Sequence, residues 1–372
     1  MAFGLRKAPP LLSGLEIDVD KDWGGKIIKN FGIPVTPGDS VRFGDLLSKL
    51  SLFDVLLRRA RKAGADWDSA FCAAWSPNGK YLAMASYGAS AFEVAEFTGT
   101  DLVRVVRKAG ADWGGADCVA WSPDGKYLAM TSYTADAVEV AEFTGTDLVR
   151  IVRKAGVDWD GIEYVAWSPD GKYLATASFN VDAFEVAEFT GTDLVRVVRK
   201  AGADWISPFC VAWSPDGKYL AMASADSDAV EVAEFTGTDL VRVVRKTGAD
   251  WDGAKGVAWS PDGKYLAMAS AVADAVEVAE FTGTDLVRIA RKTGLDWDGA
   301  EGLAWSPDGK YLAMTSAAAD AVEVAEFTGT DLVRIVRKAG ADWDGIACAD
   351  WSPDGKYLAM ASAVADAVEV AS

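Results

Sequence analysis

The sequence predicts an all-β fold, seven blades of four antiparallel strands closed into a ring: a seven-bladed β-propeller with a short N-terminal extension. Three observations predict it. The stretch Trp-Ser-Pro-Asp-Gly-Lys-Tyr-Leu-Ala returns with its tryptophan at Trp75 (in blade one as Ser-Pro-Asn), Trp121, Trp167, Trp213, Trp259, Trp305 and Trp351, every 46 residues without insertion or deletion. A fixed period of this size marks a repeat architecture. Each unit holds four short runs of strand character divided by turn signals, the pattern of a propeller blade. The ends also complement each other, because the first copy opens on a fourth-type strand and the last stops after a third. The repeats fill residues 51–372, leaving residues 1–50 as a separate segment.

Residues 1–50 do not repeat. Residues 15–19 alternate apolar and polar side chains, as a half-buried strand does. Asp18, Asp20 and Asp22 resemble the opening of a calcium loop, but Trp23 sits where the turn needs glycine and Lys29 where a bidentate glutamate belongs. A solvated acidic turn is the expectation there. Ile28, Asn30, Gly32, Pro34, Asp39 and Val41 resemble a connector of phage tail fibres and related virion appendages. That resemblance implies attachment of a binding domain to a particle, often as a trimer; a Pro/Gly-rich linker is the other reading. Beyond it we expect a helical turn or two near residues 44–50, then a strand over residues 52–59 that pairs with residues 368–371 and leaves no open edge.

Residues 235–280 serve as a clean copy of the repeat. Residues 239–246, β-branched and alternating, read as a strand, and residues 247–254 as a glycine-rich loop. Residues 256–260 form a short apolar strand, Pro261-Asp-Gly a turn, residues 265–270 a third strand and residues 275–279 a fourth. Within each strand large and small apolar residues alternate, as Val257 and Trp259 do around Ala258. A blade packs both faces against neighbours, so both must be apolar and interlock. Each repeat tryptophan is expected to lie over alanines of the adjacent blade, contributing roughly 2–3 kcal/mol by burial.

These motifs resemble WD-repeat and TolB-type propellers, which carry Ser-Pro-Asp-Gly between the first two strands of a blade. The WD hydrogen-bonding set is incomplete here: Ala249 stands in the histidine position and Ala279 in the third-strand tryptophan position, while Ser270 and Asp274 match.

Composition narrows the function. The chain carries a net charge of −18, which repels phosphate backbones and anionic lipid heads, so neither nucleic acid nor membrane insertion is expected. No run approaches the roughly 18 apolar residues of a membrane span, and no secretory signal is recognisable. Histidine and glutamine are absent and asparagine is scarce. Scarce amides mark proteins of hot environments, although multiplying one unit multiplies its composition as well. Without histidine the commonest general base and metal ligand is missing, so no enzyme activity, metal or cofactor is expected. Glu277 and Arg242 read as a cross-strand ion pair. Asp350 is the singular acid, replacing the alanine before the repeat tryptophan. Cys72, Cys118, Cys210 and Cys348 occupy one column, with Tyr164 and Gly256 elsewhere in it, and are expected too far apart to bridge.

The copies differ mainly after Asp-Trp and in the loop before the third strand, and these loops share one face of the ring. Aromatics gather there on blades one to four: Phe71, Tyr87, Tyr133, Tyr164, Phe179 and Phe209, with Asn180 and Pro208 beside them. Such side chains dominate binding hot spots and stack on sugars. The expectation is a non-enzymatic binding protein, a virion- or appendage-attached receptor-binding module meeting a protein or surface glycan through this face. A larger assembly would be joined through residues 1–50, and a homo-oligomer such as a trimer is possible in that arrangement. The alternative is a cytoplasmic WD-repeat-like interaction scaffold.

Overall fold

The computed structural model describes residues 56–372. Strand β1 (Arg58–Ala63) precedes blade one, which runs β2 (Ala70–Trp75), β3 (Tyr81–Ser86), β4 (Ala91–Phe97) and β5 (Leu102–Ala109). The same four-strand meander repeats through blade six, which ends at β25 (Leu332–Ala339). Blade seven holds β26 (Ile346–Trp351), β27 (Leu358–Ser362) and β28 (Ala367–Ala371), with β1 as its outer strand. The predicted seven-bladed ring is therefore what the chain builds, and in the copy read above the strands fall at Leu240–Thr247, Ala254–Trp259, Tyr265–Ser270 and Ala275–Phe281.

Ring closure follows the expected pairing but in a different register. The closing strand is Arg58–Ala63, not residues 52–59: Lys62 lies opposite Val368 and Arg58 opposite Ala371, with an irregularity between Arg58 and Ala60. Leu57 and Ser372 then exchange backbone hydrogen bonds of 3.0 and 3.1 Å. Counting back whole periods from Leu240–Thr247 reaches Leu56–Ala63, so the sequence reading set this strand about four residues too early. The helical turn near residues 44–50 and the connector-like residues 28–41 lie outside the described residues.

Each turn is fixed by its own side chains. In the Ser-Pro-Asp-Gly turn of blade two the Ser122 hydroxyl donates to Asp124 Oδ1 (2.5 Å) and accepts the Tyr127 N–H (2.8 Å). Gly125 takes φ 70°, a conformation costly for any residue with a Cβ. At the other end of the blade, the loop aspartates Asp182, Asp228, Asp320 and Asp366 take φ of 46–48° and accept a backbone N–H from the next blade, at 2.9–3.3 Å.

Between blades the packing is periodic. The Trp121 indole Nε1 donates to the Ala74 carbonyl of the preceding blade, and five further indoles repeat this at 3.1–3.3 Å, the alanine contact the sequence led us to expect. Phe143 sits edge-on between Trp121 (5.3 Å) and Tyr81 of the preceding blade (4.9 Å). Between blades six and seven no phenylalanine among the described residues takes this place; Leu56, Tyr311 and Trp351 each pack against the buried cluster there. On the outer half of every blade a buried glutamate meets an arginine of the outermost strand at 2.5–2.6 Å, across the last hairpin in blades one to six and across the ring closure, as Arg58–Glu369, in blade seven. Glu277 belongs to this set, but its partner is Arg288 rather than Arg242, which pairs with Glu231. Pairing follows the hairpin that joins two strands of one blade, and the arginine before Glu277 belongs to the previous blade.

A chain lacking residues 1–63 leaves the outer edge of β28 unpaired. We expect its melting temperature to fall by more than about 5 °C and its aggregation to rise; an unchanged melting temperature would show that β1 does not close the ring.

Candidate functional site

The innermost strands of the seven blades converge on a central channel. Their second residues form one ring of side chains: Phe71, Asp117, Glu163, Phe209, Lys255, Glu301 and Ala347. Their third residues form the next: Cys72, Cys118, Tyr164, Cys210, Gly256, Gly302 and Cys348. These two rings, with Tyr87 and Tyr133 from the loops above, line a cavity of about 440 Å³.

Tyr164 is the aromatic member of the second ring. Its ring packs against core clusters of blades one to five, and its phenol is held well above its ordinary value, first by the neighbouring Cys210 and then by burial. Around it the thiols crowd. Cys72 Sγ lies 3.7 Å from Cys118 Sγ, which corrects the expectation that equivalent cysteines stand far apart. Spacing across outer strands is wide, but innermost strands are squeezed together at the ring axis. All four cysteines are free thiols. The contact with Cys118 raises the Cys72 thiol well above its usual range, and burial pushes Cys210 up to about 12. Thiols held this high stay protonated and unreactive at neutral pH.

The same squeeze explains the glycines. A Cβ on Gly256 would lie 2.1 Å from the Glu301 carbonyl oxygen, and one on Gly302 would lie 2.7 Å from that of Ala347. Blades five to seven thus bring their backbones together where blades one to four keep side chains. The approach also sets Lys255 against Glu301 in an ion pair, with the ammonium 4.9 Å from the centroid of Phe209.

The remaining acids have no such partner. Asp117 and Glu163 form no ion pair among the described residues, and Glu163 Oε2 is buried without a hydrogen-bond partner. Burial raises the Glu163 carboxyl to about 8, opposed by Lys255, and holds Asp117 well above the carboxylate range with Glu163 adding to the effect.

Five of the eight predicted site residues, Phe71, Tyr87, Tyr133, Tyr164 and Phe209, meet around this cavity. Phe71 lies 5.5 Å from Tyr87 and Tyr87 6.2 Å from Tyr133, centroid to centroid, forming a continuous aromatic arc. The variable loops do share an edge, since the Tyr87 N–H donates to the Ser69 carbonyl at 2.8 Å. Phe179 and Asn180 stand outside the lining, although Asn180 Oδ1 accepts the Tyr133 hydroxyl at 3.2 Å and its amide donates to Asp160 at 2.8 Å. Pro208 is not a contact residue: it is buried as the first residue of β14 (Pro208–Trp213). Asp117, Glu163, Lys255 and Glu301 were missed. The signal lay in the column beginning at Phe71, which varies in charge as well as in size, whereas the columns on either side of it carry no charge.

Asp350 lies at the ring closure, outside the cavity lining. Its Oδ2 accepts the Trp75 N–H at 2.7 Å, while the Trp75 indole Nε1 is buried without a partner, unlike the six equivalent indoles. Burial lifts this carboxyl to about 7.

The family model described as "Lactonase, 7-bladed beta-propeller" matches residues 107–372. No curated protein matches the chain. Solved structures of similar fold include a chain of the mitotic checkpoint complex, with a TM-score of 0.71 and 16% identity over 91% of this chain and 98% of that one. The β-propeller domain of Cps50 (Swd1) from Myceliophteria thermophila is similar at a TM-score of 0.67 and 13% identity, covering 82% of this chain and 96% of that one. The resemblance to WD-repeat propellers thus holds for the fold. The connector-like residues 28–41 lie outside the span of the family match.

Asp350 and Glu163 have folded-state values of about 7 and 8, above unfolded values near 4. The native state therefore binds more protons than the unfolded chain in between, and this contribution to stability, full below about pH 4, is lost as pH rises through 7–8. The aspartates held low by arginines and lysines are ionised in both states over this range. The melting temperature should fall from pH 5.5 to pH 8.5, and less so in Asp350→Asn, which keeps the acceptor for Trp75; a melting temperature that rises with pH would refute the assignment.

Proposed function

The chain belongs to the lactonase family of seven-bladed β-propellers, and from that premise we propose that it is a non-catalytic interaction module that receives a protein partner at the mouth of its channel. The observation that carries this reading is where the copies differ. In a ring of near-identical blades, the aromatic arc of Phe71, Tyr87 and Tyr133 and the unequal charges beneath it stand together at one mouth. Large, stiff aromatics at the rim of a desolvated pocket are what interface hot spots are made of.

Several features weigh against catalysis. The chain has no histidine, and burial and neighbouring thiols hold the Cys72, Cys210 and Cys348 thiols protonated. An appendage-bound adhesin, the other reading the sequence suggested, depends on attachment through residues 1–50, which lie outside the described residues. A fold shared with a chain of the mitotic checkpoint complex is compatible with a scaffold role.

One observation favours a second reading. Glu163, with a carboxyl near 8 inside a cavity, is suited to accept a proton from a water attacking a lactone carbonyl, which opens the ring ester to a hydroxy acid. Incubation with five- and six-membered sugar lactones separates the two. We expect no hydrolysis above the buffer rate, and turnover abolished by Glu163→Gln would reassign the cavity to catalysis.

The interaction reading is tested on the loop column. Tyr87, Tyr133 and Phe179 are replaced by alanine in the equivalent positions Ala225, Ala271, Ala317 and Ala363 of the other blades, so the triple alanine variant should fold. In quantitative affinity capture its partners should bind at least tenfold more weakly, about 1.4 kcal/mol; equal recovery by variant and parent would overturn the assignment.

A further inference from the structure

We propose that the channel mouth captures one organic cation, the ammonium or guanidinium of a partner's lysine or arginine side chain, between the Phe71–Tyr87–Tyr133 arc and the carboxylates of Asp117 and Glu163. This rests on the interaction-module reading and names the chemistry that the partner must present.

The argument begins with the charges that are already satisfied. Lys255 is the single cation of the cavity lining, and it is engaged by Glu301 and the face of Phe209. That arrangement is itself a cation held by one carboxylate and one aromatic ring, supplied by blades four to six. On the opposite side, blades one to three supply the same two ingredients with no cation between them. Glu163 raises the proton affinity of Asp117 as a like charge does, and Glu301 does the same to Glu163 against the pull of Lys255. Neither Asp117 nor Glu163 has an ion-pair partner among the described residues, and Glu163 Oε2 is buried without a hydrogen bond.

A buried acceptor without a donor carries a desolvation penalty, and a second carboxyl beside it adds repulsion. Burial holds protons on these carboxyls at neutral pH, and an incoming N–H cation relieves the cost of ionising them by taking the place of the proton it displaces. The rings complete the fit, because their π faces attract a cation, more strongly where water is excluded. The cavity of about 440 Å³ lies within the range of small-ligand sites and has room for a single extended side chain. The net charge of −18 draws cations toward the molecule and disfavours anions.

The test uses the full chain and four probes of one shape, n-butylguanidinium, n-butylammonium, n-butyrate and n-butanol, in calorimetric titrations at fixed ionic strength. Both cations should bind with dissociation constants in the millimolar range or tighter, and butyrate and butanol at least tenfold more weakly. Asp117→Asn combined with Glu163→Gln should weaken the cations at least tenfold. The wild-type series stands without that variant, should the variant fail to fold. Butyrate binding more tightly than the cations, butanol binding as tightly as they do, or no cation binding at 20 mM (roughly the weakest end of useful affinity) would each overturn the proposal. Its failure is distinguishable from failure of the interaction reading, which shows instead as partner recovery unaffected by the triple alanine variant, whatever the cavity binds.

Discussion

The ring depends on one contact repeated around it: an indole that reaches the backbone of the blade before it. For Trp121 to donate to the Ala74 carbonyl, the residue at that carbonyl must have almost no side chain. Six alanines meet this demand, and with it the blades come close enough for Tyr81 and Phe143 to pack edge-on across the same junction. Buried clusters run across every junction, one of them continuous through blades one to three, so stability is distributed among neighbour terms around the ring, as in other repeat proteins. The junction between blades seven and one is the exception. Asp350 takes the alanine position, the local indole loses its acceptor, and a backbone N–H is served by a carboxylate instead.

Sevenfold repetition fixes the scaffold and leaves a function to be written in its departures. In the two rings around the channel, no residue type fills every position. Glycines on blades five and six draw those backbones together, while blade three sets the bulk of Tyr164 among the small residues of the same ring. A symmetric frame thereby holds an asymmetric site, apolar and acidic on one side and internally neutralised on the other.

Most of the fold was legible because period, turn chemistry and strand alternation are local and were stated seven times over. The site was half legible. Aromatics such as Tyr87 and Tyr133 stand out against alanines in their column, and they do meet at the cavity. Depth was the missing dimension: a linear reading places Cys72 and Cys118 a full blade apart, whereas at the axis of a ring equivalent residues nearly touch. The same foreshortening joined Lys255 to Glu301 and hid the charged ring from an inspection of loops. Pro208 misled for the opposite reason, since a proline beside variable residues reads as loop although it opens a strand. The closing strand was misplaced because, without the hairpin turn that anchors its counterparts, nothing local marks where it starts.

That strand carries a consequence for how the protein is made. Arg58 pairs with Glu369, 311 positions later in the chain. At roughly 5–20 residues per second of synthesis, β1 therefore leaves the ribosome about 15–60 s before its partner exists. Throughout that interval it is an unpaired edge, the kind of segment that recruits the wrong neighbour. Four of its six residues are arginine or lysine. On a chain as acidic as this one, a cationic ribbon repels copies of itself on adjacent nascent chains and is attracted to the negative body still emerging behind it. The charge of β1 thus disfavours pairing between copies of the first strand during the interval before the last one is made.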